Sequence, residues 1–135
     1  DNVEATTYRR ALLNAVSEPA PRELAQWRSW LEGNRYRAGD DGPDYREALG
    51  AISSPLLFIC GPRDPFSPPS MAKETLEACI QARTRALLVA SRQEGLAANY
   101  GHLDMLLGRS VARDLQPRVQ TWLEALDEEE RELDQ

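Results

Sequence analysis

Leu56-Leu57-Phe58-Ile59-Cys60-Gly61-Pro62-Arg63-Asp64-Pro65 is an apolar run that stops at a Gly-Pro turn and then delivers a carboxylate. Five apolar residues are too few for a helix and suit a strand covered on both faces, as in a parallel sheet. Pro68-Pro69-Ser70 then opens a helix carrying Ala72, Leu76, Cys79 and Ile80, and Ala86 to Ala90 reads as a second buried-type strand. Strand, helix and strand make a βαβ unit with a right-handed crossover. The expected fold class is therefore α/β. Two strands alone cannot form a parallel sheet covered on both faces, so the sheet is expected to be incomplete.

Upstream of Ser54-Pro55 the character is helical. Ala5, Tyr8, Leu12 and Val16 share one helical face, and Leu24, Trp27 and Leu31 share another, with Pro21 in a first turn and Gly33 at the stop. Asn34 to Pro43 has turn composition, and Asp44-Tyr45-Arg46-Glu47 has the form of a capping box. Downstream of the second strand, a loop is expected from Ser91 to Gly108. Ser110 is expected to cap a final helix that points Val111, Leu115, Val119, Trp122 and Leu126 inward and is interrupted by Pro117. The acidic stretch from Asp127 to Asp134 reads as a frayed, solvated tail. This divides the chain into a helical segment (1–52), an α/β portion (53–126) and a charged tail (127–135).

The chemistry lies at the strand ends, where open α/β sheets bind their ligands. Asp64 follows the first strand, and His102, the single histidine of the chain, follows the second within Tyr100-Gly101-His102-Leu103-Asp104. A histidine whose ring is held by a carboxylate can take a proton from a hydroxyl or thiol and return it to a leaving group. Each residue alone has a plainer use, the histidine as a structural loop residue and the aspartate as a turn former. Their order, acid then histidine at successive strand ends, matches the strand-elbow serine hydrolases. One histidine and Asp104 fall short of a zinc site, so no metal is expected. Trp27, Trp30 and Tyr36 fit core packing better than an acyl pocket.

Composition narrows the classes. The 135 residues suffice for one domain, and the net charge of −6 argues against nucleic acid or anionic membrane surfaces as partners. No apolar run reaches membrane-spanning length. Cys60 and Cys79 read as buried thiols, which points to a reducing, cytoplasmic setting.

The stretch from Pro55 to Pro69 resembles the acid-bearing strand and loop of the α/β-hydrolase fold, and Tyr100 to Gly108 resembles its histidine loop as found in acid lipases and some polyester synthases. The resemblance implies that residues 53 to 126 are the C-terminal half of such a fold, preceded by a helical cap. It implies Asp64 as triad acid, His102 as triad base, and acyl transfer on a carboxylic ester or thioester, chemistry that needs no organic cofactor. The family's earlier strands, oxyanion loop and Gly-x-Ser-x-Gly elbow have no counterpart here. Gly108-Arg109-Ser110-Val111-Ala112 follows the histidine and opens a helix, and neither cysteine has an elbow context. The nucleophile and oxyanion hole are thus expected on an N-terminal hydrolase segment, which is the expected partner beside a small ester or acyl substrate. The rival expectation is a noncatalytic module that uses half a hydrolase fold to bind a partner.

Overall fold

The computed structural model describes residues 2–15, 18–33, 35–39 and 41–133. It is a mixed α/β arrangement in which helices precede, link and follow two parallel strands. Helices α1 (Ala5–Ala15), α2 (Pro21–Gly33) and α3 (Tyr45–Leu49) come first. Strand β1 (Leu56–Cys60), helix α4 (Pro69–Ala78) and strand β2 (Arg85–Val89) form the expected βαβ unit. A single 3-10 turn (Arg92–Glu94) and the short helices α5 (Asp104–Leu107) and α6 (Val111–Asp114) lead into α7 (Gln116–Leu133).

The strands pair in parallel from Leu56 opposite Arg85 to Cys60 opposite Val89. Helix α4 starts at a proline pair, where a missing N–H costs nothing, and packs on both strands with Ala72 and Leu76 buried. Ile59 and Leu88, opposite each other in the register, instead pack against a cluster of Ala90, Leu96, Tyr100 and Leu115. That cluster lies under the loop that carries His102. Cys60 and Cys79 are free, buried thiols, as the sequence reading expects.

Several expectations change. The loop from Ser91 to Gly108 contains the 3-10 turn, closed by Gly95 at φ +80°, and helix α5. Ser110 does not cap with its side chain: its backbone is helical, and its carbonyl accepts from Asp114 N. Pro117 sits in the first turn of α7, so the expected single helix becomes α6 and α7 with Leu115 between them. The acidic stretch is not frayed, because α7 continues as helix through Leu133. Asp44 caps α3 by accepting from Arg46 N at 3.0 Å. Val16, Asn34, Asp40 and Asp134 lie outside the described residues.

The helical segment is thinly buried. Leu24 and Trp27, expected to face a core, are half exposed, and Leu31 is 83% exposed. Trp30 donates its indole N–H to the carbonyl of Arg37 at 2.8 Å, and Tyr45 N bonds Tyr36 O, which folds the turn after α2 back on itself. Strand β1 pairs with β2 on one side, and no other strand is described beside it. An unpaired edge together with uncovered apolar faces makes a poorly closed unit. Purified alone, the chain is expected to bind a hydrophobic dye such as ANS and to associate at micromolar concentration. A sharp, monomeric unfolding transition without dye binding would contradict this.

Candidate active site

The two parallel strands end at the same edge of the sheet, and each continues into one half of the site. After β1, Gly61 and Pro62 turn the chain, and Asp64 N donates to Gly61 O. Pro65 has no N–H to offer, so the first donors beyond Asp64 are those of Phe66 and Ser67. Both donate to Asp64 Oδ1, at 2.8 and 3.1 Å. The other oxygen, Oδ2, lies 2.9 Å from His102 Nδ1. The expected acid and base are therefore in direct contact.

Burial is unequal across this pair. Asp64 is only 3% exposed, whereas the His102 side chain is 52% exposed. Burial alone pushes the Asp64 carboxyl up. The hydrogen bonds from His102, Phe66 N and Ser67 N, with the charge of the ring, outweigh it and hold the carboxyl below its ordinary value. Asp64 is thus ionised at neutral pH and can only accept, so a neutral His102 must carry its proton on Nδ1. Nε2 is then a lone-pair acceptor, and among the described residues nothing hydrogen-bonds it. The Phe66 ring stands edge-on to the imidazole at 5.2 Å.

The pair opens into a groove of about 670 Å³ walled by Ile59, Leu103, Met105 and Leu106 on one side and by Val119 and Leu123 of α7 on the other. Its lining is mostly apolar, so the acid and base sit at the side of a hydrophobic trough. The aromatic residues of the helical segment lie elsewhere. Trp30 and Tyr36 line a separate cavity of about 640 Å³ with Tyr45, Met71 and Thr75, and neither Asp64 nor His102 reaches it. Trp27 lines neither cavity.

Among the described residues no hydroxyl or thiol hydrogen-bonds the His102 ring. Cys60 is sealed in the core, and burial followed by the charge of Asp64 pushes its thiol up, the opposite of activation. Ser110 sits on a different cleft, and Ser67 lines the groove without a bond to the imidazole. Asp104 is not a second acid for the base: its Oδ2 accepts from Gly101 N at 3.2 Å. Among the described residues no group of three histidines, cysteines or carboxylates could hold a metal ion, and no helix is long and apolar enough to cross a membrane.

Phe66, Asp114 and the groove wall on α7 escaped the sequence reading. Asp114 left no trace, because in a helix begun at Ser110 it falls in the first turn, where a carboxylate is ordinary. In comparisons with family models, curated proteins and solved structures, nothing matches this chain.

Two outcomes follow from the Asp64–His102 contact. Because the chain has a single histidine, its ring nitrogens can be read without ambiguity by 15N NMR. Wild type is expected to show the Nδ1–H tautomer, and Asp64→Asn, whose amide can donate to Nδ1, to move the proton to Nε2. An unchanged tautomer would sink the assignment. Both Asp64 and Asp114 are held below their ordinary values, so the stability they add is full above the unfolded value of about 3.9. It is lost as pH falls through the lowered folded values. Asp64→Asn should therefore flatten the acid limb of stability against pH below about 4, measured by denaturant titration.

Proposed function

We propose that this chain supplies the acid and base of a serine-type α/β hydrolase acting on carboxylic esters or thioesters. The observation that carries the reading is the 2.9 Å contact between a buried, ionised Asp64 and Nδ1 of His102, a residue that lines an apolar groove. The order of acid and histidine at successive parallel strand ends supports it, as does the likeness of both loops to those of the hydrolase family.

In this reading the nucleophile and the oxyanion donors reside on a segment that completes the sheet along the free edge of β1. His102 Nε2 accepts the nucleophile's proton as the acyl carbonyl is attacked, and Asp64 stabilises the imidazolium. The proton then passes to the leaving group. Water attacks the acyl-enzyme with His102 again as base, and the free acid departs. The groove walls, Met105, Leu106 and Leu123 among them, suit an acyl chain. No cofactor takes part in these steps.

Hydrolysis of p-nitrophenyl esters by the chain together with its completing segment tests the proposal. His102→Ala and Asp64→Asn should each lower kcat by about 10³-fold or more, with the histidine variant the worse. Turnover unchanged in both variants would overturn the enzyme reading. The same groove, uncovered and apolar, favours a second reading as a noncatalytic docking module. That reading gains if the completing segment carries no strand-elbow nucleophile.

A further inference from the structure

His102 is half exposed, and beyond Asp64 and the edge-on Phe66 ring little holds its imidazole. Its placement therefore falls on the backbone that carries it. That backbone is fixed at Tyr100, which is fully buried at 0% exposure. Tyr100 N donates to Ala90 O at 3.0 Å, tying the loop to the end of β2. Tyr100 O accepts from Arg63 N at 3.0 Å, tying it to the residue that precedes Asp64. The contact at this point is so close that a Cβ on Gly61 would collide with the Tyr100 carbonyl. One residue thus joins the acid turn to the histidine loop.

The side chain of Tyr100 anchors that junction. Its hydroxyl donates to Asp114 Oδ2 at 2.9 Å, and the same oxygen accepts from Ala97 N at 2.8 Å. Asp114 Oδ1 accepts from Arg113 Nε at 3.0 Å, and the carboxylate is only 7% exposed. Despite its burial, these donors hold Asp114 below its ordinary value, so it stays an ionised acceptor. Burial and then the Asp114 carboxylate push the Tyr100 phenol up, so it stays a donor. A charge-assisted hydrogen bond in a water-poor setting is stiff and directional.

We infer that Asp114 and Tyr100 are positioning residues: their bond sets where His102 sits relative to Asp64 by locking the histidine loop onto α6. Neither touches the groove, and the effect reaches His102 through Gly101. The inference deepens the hydrolase reading and rests on it for its kinetic consequence. A phenylalanine at 100 would fill the same space, so the hydroxyl separates positioning from core filling.

Tyr100→Phe and Asp114→Asn are compared with wild type in the chain together with its completing segment, and Leu76→Ala in α4 serves as a destabilised control away from the site. The His102 Nδ1–H resonance and its exchange with water are read by NMR, and ester kinetics are read beside them. Both variants are expected to speed ring-proton exchange and to lower kcat by about tenfold, with KM within about twofold. Leu76→Ala should lose stability while keeping the ring resonance and kcat. Wild-type ring exchange and kcat in Tyr100→Phe would overturn the inference, as would Leu76→Ala reproducing the effect or both variants failing to fold. The ring measurement needs no turnover. If His102→Ala and Asp64→Asn both leave hydrolysis untouched, the hydrolase reading falls, while the NMR arm still judges the Tyr100–Asp114 lock.

Discussion

The parallel pairing of β1 with β2 is the constraint on which the site depends. Its register sets Cys60 beside Val89, so the chain leaves both strands at one level and on one edge. The acid turn and the histidine loop then need only short reaches to meet. An antiparallel pairing would send the two exits to opposite ends of the sheet. The parallel arrangement follows from the crossover through α4, which packs on both strands. Asp64 and His102 are far apart in sequence and adjacent in space for this topological reason.

Placing a carboxylate in the core is costly unless its lone pairs are filled. Asp64 meets that condition with the N–H groups of Phe66 and Ser67 on one oxygen and the imidazole on the other. The prolines that flank this turn contribute by what they lack. Pro65 removes a competing donor and leaves the next N–H groups free to converge on one oxygen. Asp114 repeats the solution with Ala97 N, Tyr100 and Arg113. The two buried carboxylates lie at the two ends of one backbone path, Asp64 facing the ring and Asp114 facing the loop behind it.

The elements legible in the sequence were those governed by local chemistry. Leu56 to Cys60 is a strand because five apolar residues end at Gly-Pro, and Pro69 opens α4 because proline tolerates a first turn. Asp44 announced its cap, and the order of Asp64 and His102 announced their pairing. What escaped depends on distant partners. Asp114 bonds Tyr100 across a separation that no short pattern encodes. Leu24 and Leu31 follow a helical period that predicts a buried face, yet period alone does not provide a neighbour to cover it. The acidic run from Asp127 reads as unstructured by charge, yet it extends a helix already nucleated by Gln116 to Leu126, and extending costs less than starting anew.

The groove beside His102 and the free edge of β1 meet at one strand. A strand paired on one side leaves its N–H and C=O groups unmatched on the other, and Ile59 of that strand forms the groove wall. In the proposed hydrolase, a segment paired with β1 would lie in the plane of the sheet, at right angles to the face from which Ile59 lines the groove. The backbone donors and acceptors of β1 would set the register of that neighbour, and the register would decide which of its residues arrives at the strand end. A nucleophile delivered in this way needs no local motif in the present chain. Under the hydrolase proposal its strand would run parallel to β1 and end at the same edge as Cys60 and Val89.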